Sequence, residues 1–156
     1  MEPSRKTAFF AFCSLLLVTC ARSKKAVEEE SFKCPETGTV FNTTLAAYYP
    51  DYESSQEYDT QDIRGKKLRT LQDFLDGRSS YVTAAMDIEL GIEYGTLLCL
   101  PELNHHYGRF IPIQVRDSSV ELTGTGFGRV DICVRTETDS YDITVNRDLT
   151  LAVLQE

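Results

Sequence analysis

Positive charge is scarce in this chain: 16 Lys and Arg stand against 24 Asp and Glu. Once the first 26 residues are set aside, 11 basic side chains face 23 acidic ones, a net charge near −12. A surface of that sign repels phosphate backbones and anionic headgroups, which excludes nucleic acid and membrane surfaces as natural partners. Metal-ligand spacing is also missing. The only two histidines, His105 and His106, are adjacent, within a stretch (103–108) that reads as a turn, and no Cys or His pair has the spacing of a metal site. No metal and no cofactor is expected. Helical periodicity is nearly absent beyond the N-terminus, and so is any apolar run long enough to span a bilayer.

The remainder is an ordinary globular composition, 156 residues with 42% hydrophobic and 26% charged, enough for one domain with a modest core. Residues 1–26 stand apart. Arg5 and Lys6 precede an uncharged apolar run over 7–21, the form of a secretory signal cleaved near 21–26. Leu17-Val18-Thr19-Cys20 offers lipoprotein-type processing at Cys20 as the alternative. The mature protein is therefore expected outside the cytoplasm, secreted or periplasmic, without membrane insertion. Cys34, Cys99 and Cys133 then remain, enough for one disulfide and one thiol, and all three pairings are open.

A polar lead over 27–39 gives way to a domain over 40–156. Residues 40–49 are rich in β-formers and stop at Pro50-Asp51, and Asn42-Thr43-Thr44 within them is an N-glycosylation sequon, meaningful in a eukaryotic source. Residues 52–67 are polar and aperiodic, a long loop. Thr70 caps a short helix in which Leu71, Phe74 and Leu75 share a face and which Gly77 closes. Strands follow over 81–86, 95–100, 110–116 and 130–134; residues 142–146 and 149–154 close the chain, the second as the final strand. Many short strands with almost no helix predict an all-β barrel.

Three aspartates sit where strands end or pair. Asp87 follows Met86. Asp117 continues the parity of Ile111, Ile113 and Val115, so it is expected on the buried face, hydrogen-bonded by turn N–H groups or with a raised pKa. Asp131 has the opposite parity to Val130, Ile132 and Val134, sharing a face with Arg129, Cys133 and Arg135, and is expected to look into a groove. Either arginine, if it touches Asp131, would hold it ionised.

In order, Ala47-Tyr48-Tyr49-Pro50, Val82-Thr83-Ala84-Ala85-Met86-Asp87, Tyr94-Gly95-Thr96, Val115-Arg116-Asp117 with Gly124, and Arg129-Val130-Asp131-Ile132 resemble the double-psi β-barrel proteins. Within them the chain is most similar to the three-aspartate domain, the rare lipoprotein A type barrels and the barrel of the A-type membrane-bound lytic transglycosylases, over residues 40–154. The resemblance implies a six-stranded barrel whose groove holds a glycan and cleaves peptidoglycan. Asp131 would be the general acid on the glycosidic oxygen, with Asp117 and Asp87 shaping the site. Tyr48, Tyr49, Tyr94 and Arg129 are the candidate substrate contacts. Ser118-Ser119 departs from the glycine-rich turn that follows the second aspartate in those enzymes. The alternative is a non-catalytic barrel binding polysaccharide or protein, in the manner of expansin-like or inhibitor-like members.

Overall fold

A computed structural model describes residues 32–35 and 39–154 of the chain. The signal segment expected over 1–26, Cys20 and most of the polar lead over 27–39 lie outside the described residues.

The described chain forms a closed six-stranded barrel: β1 (Val40–Tyr48), β2 (Val82–Ala85), β3 (Leu97–Cys99), β4 (Ile113–Asp117), β5 (Arg129–Cys133) and β6 (Arg147–Val153). Around the barrel the order is β1-β5-β2-β4-β3-β6. β1 runs parallel to β5 and β2 parallel to β4, while the other four pairings are antiparallel. Closure leaves no edge strand, and the alternating side chains of β1 to β6 fill the interior. Leu45, Val82, Ala84, Leu98, Ile113, Val115, Val130, Ile132 and Leu151 are all 0 or 1% exposed in one cluster. Each fully buried aliphatic side chain of this kind contributes about 1.5–3 kcal/mol by leaving water.

The expected all-β architecture with a short helix and a long early loop is what the chain adopts. The helix after Thr70 is present as α1 (Leu71–Leu75), held by a capping box in which Thr70 Oγ1 accepts from the Asp73 N–H. The loop between β1 and α1 has only a single turn of 3₁₀ helix at Glu57–Thr60 and an isolated bridge from Gln61 to Lys67. One local expectation is corrected. Residues 103–108 are not a turn but the body of α2 (Pro101–Tyr107), because Pro101 sits in its first turn, Leu103 and Asn104 are buried, and Gly108 closes it at φ 62°. Residues 142–146 form a 3₁₀ turn (Ile143–Val145), started by Asp142 accepting from the Thr144 N–H. A third helix, α3 (Glu137–Ser140), carries its own capping box from Thr136.

Among the described residues Cys34 and Cys99 are bonded, and Cys133 is a buried free thiol. Asn104 braces that corner, its Nδ2 donating to the Phe32 carbonyl and the Cys99 Sγ while its Oδ1 accepts from the Ile111 N–H.

Candidate functional site

The three aspartates reach one end of the barrel by different routes. On β5, Asp131 lies opposite Ala46 of β1 on one side and Ala85 of β2 on the other. Across β2, Ala84 pairs with Val115, but Ala85 pairs with Asp117, so the register skips Arg116. Arg116 is the extra residue of a β-bulge, which shifts everything after it by one in parity. Asp117 therefore does not continue the buried face of Ile113 and Val115. It stands with Ala85 and Asp131 on the outer face, in a row that runs Ala46, Asp131, Ala85, Asp117 across four strands. Two strand spacings put the Asp131 and Asp117 backbones about 10 Å apart, with only an alanine methyl between them.

The two carboxylates have different company. Arg129 shares the outer face of β5 with Asp131, and its Nε and an Nη reach Asp131 Oδ1 and Oδ2 at 2.8 and 2.9 Å. This is a two-point, charge-assisted contact, and the Asp131 hydrogen bond lifts the Arg129 guanidinium further above its already high pKa. Asp131 is 9% exposed, with both oxygens taken as acceptors. Arg135, the other arginine of this face, is engaged elsewhere, with Asp76 at 2.5 Å and Asp73 at 3.6 Å.

Among the described residues no cation pairs with Asp117. Its Oδ2 accepts from the Tyr48 hydroxyl at 3.0 Å and its Oδ1 from the Ser118 N–H at 3.0 Å. Burial pushes its pKa up, the Ser118 and Tyr48 donors pull against that, the Asp62 charge adds to it, and the outcome is a raised value. Tyr48 is raised too, by burial first and then by Cys133 and Asp117.

Asp87 is 1% exposed and turned away from both. Its Oδ2 accepts the N–H groups of Gly124 at 2.7 Å and Gly126 at 3.2 Å, and its Oδ1 that of Glu89. Burial works against its charge, but the N–H groups of Gly126, Gly124, Glu89 and Leu90 outweigh it and lower the pKa. Gly124 (φ 85°) and Gly126 (φ 54°) hold left-handed backbone, so the glycines in this turn allow the loop to fold its donors onto Asp87. Asp87 is a clasp between the end of β2 and the loop before β5.

An open groove of about 370 Å³ lies beside Asp117, lined by Tyr48, Tyr49, Asp51, Asp59, Asp62 and Ser118 among others. Its volume falls within the range of small-ligand sites, about 300–1,000 Å³. Tyr49 is 41% exposed there. Tyr94 belongs to a different place: its hydroxyl donates to Asp62 Oδ2 at 2.7 Å, and its ring lies between Arg64 at 3.9 Å and Arg116 at 4.8 Å, beside a second hollow. Of the seven expected site residues, then, Tyr48, Tyr49 and Asp117 meet at one groove; Asp131 and Arg129 form a pair on the same face; Asp87 and Tyr94 serve as anchors.

Sequence periodicity missed Asp62. Its Oδ1 accepts the N–H groups of Arg64 and Lys66, both at 2.9 Å, and its Oδ2 accepts from Tyr94 and from Arg116 Nε at 3.0 Å. Burial opposes its ionisation, and these four donors overcome that and lower its pKa. The bulge that reorients Asp117 thus also sends Arg116 to Asp62, which ties the long loop down as one wall of the groove. The sole signal in the sequence was Asp62 three residues before Gly65, a turn spacing with Gly65 at φ 71°.

Among the described residues no cluster of three or more His, Cys, Asp or Glu side chains is placed to hold a metal ion. No protein-family model matches the chain, and no curated protein matches it in sequence.

Proposed function

We propose that this is an exported barrel of the double-psi type that binds polysaccharide in the Tyr48–Tyr49–Asp117 groove and does not cleave it through Asp131. The Arg129–Asp131 contact carries this reading. A general acid must present an oxygen to the scissile bond, whereas both oxygens of Asp131 are engaged by the Arg129 guanidinium. What the groove offers is recognition. Tyr48 and Tyr49 supply ring faces for the apolar side of a pyranose, and Asp51, Asp59 and Asp117 supply acceptors for its hydroxyls. The carboxylates that line the groove suit a neutral or amino-bearing glycan better than a phosphorylated one.

A second reading, glycan cleavage with Asp117 as the proton donor, is favoured by one observation: Asp117 lines the groove and its burial favours the protonated carboxyl. An environment that favours the protonated form is what acid catalysis needs.

One experiment separates the readings. The purified mature protein is incubated with insoluble peptidoglycan, chitin and cellulose; bound protein is measured by sedimentation, and soluble products, including 1,6-anhydro-muramyl sugars, by mass spectrometry. Sedimentation that drops at least tenfold in Tyr48→Ala/Tyr49→Ala, without products, supports the binding reading. Products lost in Asp117→Asn support the second. Products lost in Asp131→Asn but retained in Asp117→Asn would overturn both.

A further inference from the structure

Asn42 lies on the outer face of β1 and is exposed, and among the described residues no hydrogen bond engages its side-chain amide. It begins the only Asn-X-Ser/Thr triplet in the chain, Asn42-Thr43-Thr44. Leu45 and Thr43 point inward, at 1% and 4% exposed, so Val40, Asn42 and Thr44 share the outward parity. Thr44 is itself exposed, with its hydroxyl donating to Asp148 on β6 at 2.8 Å. Both chemical determinants of the triplet are therefore on the surface of the finished barrel.

The Cys34–Cys99 disulfide fits a chain that folds in an oxidising compartment, which in a eukaryotic cell is also where N-linked oligosaccharide is transferred. Val40, the outward neighbour of Asn42 on the same strand, is 58% exposed. A first sugar on Asn42 would cover that apolar surface. Tyr48 lies six residues further along β1, about 20 Å away at ~3.3 Å per residue, so a glycan at Asn42 leaves the groove open.

We propose that Asn42 is an N-glycan acceptor. In the transfer, the Asn42 Nδ2 bonds to the anomeric carbon of a lipid-pyrophosphate-linked oligosaccharide. The carbon–oxygen bond to the pyrophosphate breaks, one amide proton leaves, and the lipid pyrophosphate departs with the bonding pair. No oxidant is needed. The site is independent of what the groove binds.

The full chain is expressed in eukaryotic secretory cells, as wild type, Asn42→Gln, Thr44→Ser and Thr44→Ala, and the secreted protein is mapped by mass spectrometry. Wild type and Thr44→Ser carry N-acetylhexosamine and hexose on the peptide containing residue 42, and peptide N-glycosidase removes the sugar and leaves Asp at that position. Asn42→Gln and Thr44→Ala carry none. Translation into endoplasmic-reticulum microsomes gives the same reading for any variant that is not secreted, as a one-glycan step in mobility. An unmodified Asn42 peptide in translocated wild-type protein overturns the proposal.

Discussion

Arg129 closes on Asp131 across two positions of the same strand, with both guanidinium contacts at 2.8 and 2.9 Å and the carboxylate nearly out of water. Removing one partner strands the other in a poorly solvated place. Arg129→Ala is expected to destabilise the barrel by about 1.5–3 kcal/mol, the range for hydrogen bonds to charged groups. Replacing both at once, Arg129→Met with Asp131→Leu, is expected to cost less than the single change. Urea unfolding of the three proteins checks this; equal stability of Arg129→Ala and wild type would show that the pair contributes nothing.

Asp117 has a raised carboxyl, so the native state holds its proton more tightly than the unfolded chain does. Its contribution to stability is fully present below the unfolded aspartate value of ~4 and is lost as pH rises through the raised native value. Asp117→Asn is expected to remove that part of the pH profile. Tyr48→Phe, which deletes a donor to the charged form, is expected to move the Asp117 titration upward. Carboxyl NMR titration of Asp117 in wild type and Tyr48→Phe decides the matter, and a value below that of a free aspartate would refute the assignment.

Asp62 and Asp87 behave in the opposite sense, because both are lowered by their donors despite burial. Their contribution is present above the unfolded value of ~4 and disappears as pH falls through the lowered native values. Asp87→Ala is expected to lower stability at neutral pH by leaving the Gly124 and Gly126 N–H groups without their acceptor. Chemical denaturation of Asp62→Ala and Asp87→Ala from pH 7 to pH 3 is expected to show the gap to wild type closing as the medium acidifies. A gap that widens with acid would contradict the lowered values.

The bond between Cys34 and Cys99 spans 65 residues of sequence. Cys34→Ser with Cys99→Ser is expected to lose about 2–4 kcal/mol, mainly through the freed unfolded chain. Cys133 is buried and its thiol is pushed up, first by desolvation and then by Asp117 and Asp73, so it is expected to resist alkylation in the native protein. Thermal unfolding with and without reductant, together with mass-based thiol labelling, tests both; rapid native labelling of Cys133 is the adverse outcome.

Much of this molecule was legible in its strands. Alternation of apolar residues located the barrel strands, Thr70 with the shared face of Leu71, Phe74 and Leu75 marked α1, and the shared parity of Arg129 and Asp131 put the two within reach of each other. Pattern was weaker where a short segment depends on what covers it: Pro101 to Tyr107 folds as a helix because Leu103 and Asn104 are buried beneath it, and a local turn composition carries no information about that burial.

Composition and periodicity by themselves determined an acidic, all-β chain with Asp87 and Asp117 beside strand ends and Asp131 within a strand, since these follow from side-chain chemistry and a two-residue repeat. Which aspartate faces what was decided only in the tertiary structure. The residue skipped at Arg116 is invisible to a parity count within β4, because a bulge exists only relative to the partner strand. That single offset turns Asp117 outward to Tyr48, sends Arg116 to Asp62, and leaves Asp131 to its own arginine. Strand pairing across the barrel, and not the order of residues along one strand, assigns the three carboxylates their separate tasks.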